Sequence, residues 1–403
     1  MNNAGEAGLI MRHTRSRAGA LVLSVVLGVA VLGASAAWWS SSGVLPESLD
    51  HDEFWSLVEE MSEPDGYFQS DNLVSNEHSF QYVVPALQAQ RRPNQVYLGV
   101  APDQNFTYVL AFQPQMAFIV DIRRGNLLTH LMYKTLFELS EDRADFVAFL
   151  FSRFRPEGLT ADSSIDDIMA AVERMPGDEL EFRNNLLIIQ HHLTRTRGFN
   201  LSADDLRGLD DIYSQFYLYG PSLSYSSRGR APGAPGGPVR FGAGGRGPGG
   251  RFPTWSDMVR QRDADGTQHS YLASHQHFLA IKSMQEKNLI VPVVGDHTGP
   301  KALQAVGKYI RHRKATVGAF YTSNVEQYLF RYGTWPRFAQ NLRALPLTDA
   351  SVIIRSVSPR DGFVGMPQGP DGRASVLDPI LPLVRDHEAG QIRGYWDVTR
   401  RAR

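Results

Sequence analysis

The sequence predicts an α/β protein built on a mostly parallel sheet with helices on both faces, and three observations predict it. Apolar strand-like runs alternate with helical periodicity over residues 95–139, and the same alternation returns over residues 288–332. A short polar turn follows each of these runs. The 403 residues are 42% hydrophobic and 21% charged, enough apolar material for a full α/β core or two domains.

At the amino end, Arg12, His13, Arg15 and Arg17 precede an apolar run from Ala18 to Trp39, within which Ala34-Ser35-Ala36 resembles a signal-peptidase site. Segment 1–39 therefore reads as a cleaved signal peptide or as an N-terminal membrane anchor, since the run is long enough to span a bilayer. Both readings place the rest of the chain outside the cytoplasm, either membrane-anchored or secreted and periplasmic, because the arginines stay inside. An over-predicted start with a cytoplasmic product is the alternative. The chain has no cysteine, which excludes thiolate zinc sites, cysteine nucleophiles and disulfides. A formal net charge of -1 gives no basic field, so no nucleic-acid partner is expected.

Residues 40–140 hold the first half of the sheet domain. Phe54, Leu57, Val58 and Met61 lie on one helical face over Asp50 to Met61. A polar, turn-rich stretch runs from Ser62 to Glu77, and Ser79 to Gln90 is helical or extended. Gln95 to Val100 is a buried strand, Phe106 to Phe112 a helix, and Met116 to Ile122 a second strand. Leu127, Leu128, Leu131, Met132, Leu136 and Leu139 mark a strong helix. Strand, helix, strand, helix is the pattern of parallel crossovers, hence a Rossmann-like sheet.

Residues 141–225 form a helical insertion, with helices expected over Ser163 to Met175, Asp178 to Thr196 and Ser202 to Tyr217. Residues 226–252 are dominated by Gly, Pro and Arg, bury too little to offset chain entropy, and read as a disordered loop. Residues 253–403 complete the sheet and end in a tail. Tyr271 to Lys287 is expected as a helix and Asn288 to Val294 as a strand. Pro292 confines that strand to an edge or a bulge. Pro300 to Arg311 is a helix with proline in its first turn, Ala315 to Tyr321 a strand, and Val325 to Tyr332 a helix capped by Thr322-Ser323-Asn324. Ser351 to Ser356 is a late strand.

Four turns follow four candidate parallel strands, and in such a sheet the carboxyl ends line the ligand crevice. Asp121 ends the second strand, where a carboxylate bonds ribose hydroxyls, or else caps a helix or pairs with Arg123 or Arg124. The first turn offers Gly99, Asp103 and Asn105 as cofactor contacts, although Gly-x-Gly-x-x-Gly is absent and Asp103 and Asn105 also suit a plain helix cap. Asp296 and His297 pair a carboxylate with an imidazole at a strand end before a helix, a candidate catalytic couple beside a helix terminus that can hold an anion. Arg123, Ser323 and Asn324 are candidate substrate contacts. His191, His192, His269, His275 and His277 read as solvated side chains, so no metal site is assigned.

Three stretches carry a family resemblance: Ser70-Asp71-Asn72-Leu73-Val74-Ser75-Asn76-Glu77, Tyr97 to Tyr108, and Phe118-Ile119-Val120-Asp121-Ile122-Arg123-Arg124. Val291-Pro292-Val293-Val294-Gly295-Asp296 and Ala319 to Leu329 extend it. Together they resemble a largely uncharacterised bacterial family over residues 60–357, apart from the glycine-rich insertion. That family is in turn similar to the class I S-adenosylmethionine-dependent methyltransferases. The resemblance implies a methyltransferase-like fold with S-adenosylmethionine as cofactor. Gly99 would match the cofactor-loop glycine and Asp121 the ribose-binding acid, with Asp296, Ser323 and Asn324 near adenine or substrate. The methyltransferase loop normally carries two or more glycines, where this chain has Gly99. Two functions are expected to compete. One is a methyltransferase with an unknown small-molecule acceptor. The other is an exported, non-catalytic ligand-binding or envelope interaction protein on a degenerate methyltransferase-like fold.

Overall fold

The computed structural model describes residues 43–70, 72–225, 246–247, 250–358 and 367–400. The apolar run at Ala18 to Trp39 and most of the Gly/Pro/Arg segment lie outside the described residues. Among the described residues, no helix is long and apolar enough to cross a membrane.

Six strands form one sheet: β1 (Gln95–Gly99), β2 (Met116–Asp121), β3 (Ile290–Val294), β4 (Thr316–Ser323), β5 (Leu347–Val357) and β6 (Ala374–Pro379). Their order is β3-β2-β1-β4-β5-β6. The first five run parallel, and β6 runs antiparallel to β5. β1, β2 and β3 are buried at every residue, as expected where helices cover both faces of a parallel sheet. Pro292 sits in β3, an edge strand, where its missing N–H costs no ladder bond on the open side. The mostly parallel, Rossmann-like α/β architecture is thus the one expected.

The helices follow the same logic. α1 (His51–Met61) is closed by a reciprocal capping box between Asp50 and Glu53, and its buried Phe54, Leu57, Val58 and Met61 are the apolar stripe of the sequence. After the short α2 (Val84–Gln88), α3 (Gln104–Phe112) joins β1 to β2, and α4 (Arg124–Leu139) leaves β2. α5 (Arg143–Leu150), α6 (Ile165–Arg174), α7 (Glu179–His191) and α8 (Ala203–Tyr219) follow, with a π-helical turn at His192–Thr196. α9 (Trp255–Arg260) and α10 (His275–Glu286) lead to β3, and α11 (Ala302–His312) connects β3 to β4. α12 (Val325–Arg331) and α13 (Trp335–Ala344) connect β4 to β5, and α14 (Ile380–Glu388) and α15 (Tyr395–Thr399) close the chain.

Three local expectations are corrected. The helix expected from Tyr271 starts at His275, because Ser274 accepts the His277 amide and sets the cap. Pro300 precedes α11, whose N-cap position is Lys301. Thr322 and Ser323 are the end of β4, and Asn324 holds the N-cap position of α12 without a side-chain cap bond.

The insertion packs on α4 rather than over the crevice. Glu138 of α4 accepts from Lys134 at 2.8 Å, His192 at 2.7 Å and Arg197 at 2.8 Å. Burial pushes the Glu138 carboxyl up, but the His192 bond and the Lys134 and Arg197 charges outweigh it and hold it at about 2. Arg143 of α5, fully buried, donates to the carbonyls of Leu272, Ala273, Ala161 and Ser163 and so binds three segments without a carboxylate partner. Around it, Phe106 meets Tyr133, Phe137 and Tyr271 edge-on at 5.6, 5.3 and 5.4 Å. Each such pair adds about 1 kcal/mol beyond its burial.

Candidate functional site

The turns after β1, β2, β3 and β4 converge at the carboxyl ends of the strands on a pocket of about 290 Å³. Six of the residues singled out in the sequence line it: Asp121, Arg123, Asp296, His297, Ser323 and Asn324. Aromatic rings absent from the sequence reading complete the wall, namely Tyr67, Phe68, Tyr328 and Tyr332. Phe68 and Tyr328 meet edge to face at 5.1 Å. A second pocket of about 210 Å³ shares Phe68, Asn72, Ala101, Ser323, Asn324 and Tyr328 with the first, and adds Ser75, Gln104, Tyr321 and Arg373. An aromatic cavity with a few fixed polar groups suits a flat heteroaromatic ligand with polar edges.

Gly99, Asp103 and Asn105, expected as cofactor contacts, line neither of these two pockets. They build the first turn instead. A Cβ on Gly99 would lie 2.0 Å from the Asn105 amide oxygen, so the glycine makes room for that side chain. Asn105 is fully buried; it accepts from Tyr97 at 2.8 Å and donates to the carbonyls of Val100, Ala101 and Pro102. His130 contacts the Ala101 carbonyl at 2.9 Å, and burial lowers its pKa to about 4, leaving the ring neutral. Asp103 turns inward to the Trp255 indole N–H at 3.0 Å and the Tyr271 hydroxyl at 2.9 Å. Burial raises it to about 6 against the pull of those bonds. The turn is therefore held by side chains. Val100, Ala101, Pro102 and Gln104 reach the pockets, and Ala101 sits at φ 68°, a left-handed conformation that costs a residue with a Cβ about 1–2 kcal/mol.

Asp121 is already engaged. Its carboxylate accepts from Arg123 Nε at 3.0 Å and Nη2 at 3.1 Å, from the Arg123 amide at 3.0 Å and from the Ala101 amide at 3.2 Å. The pairing with Arg123 is the arrangement the structure adopts, and the pair ties the first turn to the second. Arg124, next in sequence, points elsewhere and bonds Asp205 of α8.

Around Asp296 the anion expected at a helix terminus is supplied by the chain itself. Glu63, which the sequence did not single out, accepts from the amides of Lys301 at 2.8 Å, Ala302 at 2.9 Å and Asp296 at 3.1 Å. A Cβ on Gly299 would fall 2.3 Å from its carboxylate. Asp296 folds back to bond the amide and hydroxyl of Thr298. His297 is 4% exposed, contacts the Val120 carbonyl at 3.1 Å, and stacks on Phe338 at 5.8 Å. Burial lowers its pKa, so the ring is neutral with Nε2 donating, and its buried Nδ1 has no hydrogen-bond partner.

Ser323 lies on the wall shared by both pockets, at φ 54°. Non-glycine residues at positive φ on two of the converging turns mark a strained rim of the kind that gathers at functional sites. The Ser323 hydroxyl donates to Glu77 Oε1, and Tyr321 donates to the same oxygen at 2.8 Å. Gln104 Nε2 reaches Tyr321 at 2.6 Å and Ser75 at 2.8 Å. Glu77 is 2% exposed, and its second oxygen has no partner. Neither Glu63 nor Glu77 was assigned a role from sequence, because both lie in a polar turn-rich stretch without periodicity. Phe68 and Tyr67, aromatic in that same stretch, were the available signal.

Three of the five histidines weighed as metal ligands take protein partners. His192 bonds Glu138, His269 bonds Asp263 at 2.7 Å, and His277 contacts the Ser270 carbonyl at 3.1 Å. His192 and His269 are thus not the solvated side chains expected.

No curated protein matches the chain. One family profile does, described as a domain of unknown function, DUF7790, over residues 72–161 and 252–375. The unmatched stretch between the two segments contains α6 to α8, while β1 to β5 and most of the pocket wall fall inside them. The chain belongs to this uncharacterised family, the DUF7790 domain family.

Proposed function

We propose that the larger pocket binds a nucleoside ligand of the S-adenosylmethionine type and that the chain is methyltransferase-like in fold and activity. The observation that carries this reading is the convergence of four strand-end turns, with an acid at the end of β2, on an aromatic pocket. The strand order with an antiparallel strand beside the fifth parallel one also supports it. In this reading the aromatic wall holds the base, Asp121 serves the ribose, Asn324 bonds a base edge, and the acceptor lies toward the smaller pocket. The donor supplies an electrophilic methyl group when bound. The chain's own part is to hold donor and acceptor in line and to keep water out.

A second reading has its own observation. Asp121 already accepts from Arg123 and two backbone amides, and Glu63 fills the α11 terminus. Such saturation favours a ligand-binding module without catalysis, and it accords with the export expected from residues 1–39, since little S-adenosylmethionine is expected outside the cytoplasm. Calorimetric titration of the full chain with S-adenosylmethionine and S-adenosylhomocysteine separates the readings. Micromolar binding, weakened about tenfold by Asn324→Ala, is the expected result. Asn324 makes no cap bond, so its removal leaves α12 intact. A folded chain that binds neither compound overturns the nucleoside reading.

A further inference from the structure

We propose that Ser323 and Glu77 form a proton relay at the smaller pocket, so that this pocket takes an acceptor with an ionisable O–H or N–H group, whose proton ends on Glu77. The inference rests on the nucleoside reading for its methyl donor, but the relay stands on this chain's own geometry.

Ser323 is the only residue bonded to Glu77 by its side chain that also lines both pockets, among the described residues. The hydroxyl is held in place by the left-handed backbone at the end of β4. Behind it, Glu77 is buried with one oxygen bonded to Ser323 and Tyr321 and the other unpartnered. A buried carboxylate kept for stability alone is normally saturated with donors, because each missing bond leaves the charge less compensated. Glu77 is short of donors, and so has capacity for a proton. The groups facing it are few. Ser323 and Tyr321 come from β4, Arg373 and Asp371 from the segment before β6, and the hydroxyls of Tyr97 and Tyr108 from β1 and α3 feel its charge. Burial raises the Glu77 carboxyl above the ordinary glutamate range, while the Ser323 and Tyr321 bonds and the Arg373 charge pull it down.

The step balances. A lone pair on the acceptor oxygen or nitrogen forms a bond to the donor methyl carbon, and the carbon–sulfur bond breaks with its electrons staying on sulfur, which becomes a neutral thioether. The acceptor proton passes to Ser323 Oγ as the serine's own proton passes to Glu77 Oε1. Ser323 touches the acceptor; Glu77 acts through it as a positioning and proton-holding group. Arg373, at the rim of the same pocket, adds a positive charge that favours acceptors carrying a carboxylate or other anion.

The test uses the full chain, labelled S-adenosylmethionine, and a panel of small phenols, amines and carboxylic acids. Donor binding is measured by calorimetry alongside transfer. Glu77→Gln, behind the pocket wall, should bind donor within about twofold of the parent, yet both it and Ser323→Ala should transfer methyl about 100-fold more slowly at neutral pH. The deficit should shrink as rising pH deprotonates the acceptor itself. Equal transfer by Glu77→Gln, or a pH-independent loss, overturns the relay. Absence of donor binding by the parent chain overturns the nucleoside reading instead. A second measurement needs no acceptor: the carboxyl carbon of Glu77, followed by NMR, should titrate above the ordinary range and higher still in Ser323→Ala. An unchanged titration in that variant also overturns the relay.

Discussion

Asp103 and Glu77 are both buried carboxylates, and they differ in that only Glu77 has a buried oxygen without a partner. Asp103 meets an indole N–H and a tyrosine hydroxyl inside an aromatic cage, away from either pocket. Glu77 stands one hydrogen bond behind the pocket wall with an oxygen left over. The difference separates two uses of a buried charge. An acid that takes donors from distant segments fastens them together, and here Asp103 fastens the turn after β1 to Trp255 and Tyr271. An undersupplied one keeps a capacity that packing alone does not require.

The largest test of this contrast is Asp103→Asn. The folded chain keeps a proton on Asp103 up to about pH 6, whereas the unfolded chain releases it near the ordinary aspartate value of about 4. The stability tied to that proton is fully present below about pH 4 and is lost as pH rises through about 6. Relative to the parent, Asp103→Asn should gain on the order of 2–3 kcal/mol between pH 4 and pH 7. Denaturant midpoints at the two pH values measure it, and parallel profiles for the two proteins contradict the cage.

Glu77→Gln sharpens the contrast with an effect of the same sign. Its folded pKa is also raised, chiefly by burial, so the parent loses stability as pH rises, and the amide should gain on the parent between pH 5 and pH 8. Thermal melting at pH 5 and pH 8 checks it; a variant less stable at pH 8 than at pH 5, relative to the parent, refutes it. The smallest effect concerns the turn that lies beside both acids. Ala101→Gly removes the left-handed penalty at φ 68° and should stabilise by a few tenths to about 1 kcal/mol. A lower melting temperature for the glycine variant counts against strain at that turn.

The sheet was largely legible because its signals are local. β1 to β4 are continuous apolar runs, the stripes of α1 and α4 repeat with helical spacing, and Pro292 announced an edge. Other elements were not. α13 opens on Trp335-Pro336, which reads as a turn until proline is placed in the first helical turn. β6 ends in Asp378-Pro379 rather than running apolar throughout, and its partner β5 sets its pairing. In the site, the strand-end residues Asp121, Arg123, Asp296, His297, Ser323 and Asn324 could be placed because strand ends share one side of a parallel sheet. Glu63 and Glu77 could not, since their partners lie 238 and 246 positions further along the chain. The roles of Gly99, Asp103 and Asn105 were misjudged for a related reason. A turn residue's side chain can face ligand or interior, and only the packing of Tyr97, Trp255 and Tyr271 decides which.

Glu63 at the head of α11 also bears on which ligands the crevice can discriminate. A phosphate seeking those amides would compete with a carboxylate built into the same chain, tethered at an effective concentration of about millimolar or more. An internal competitor of this kind is never diluted and never diffuses away. It sets a threshold that a phosphorylated compound must exceed at that terminus, whereas an uncharged sugar or base meets no such rival. The head of α11 thereby favours an uncharged group over a phosphate.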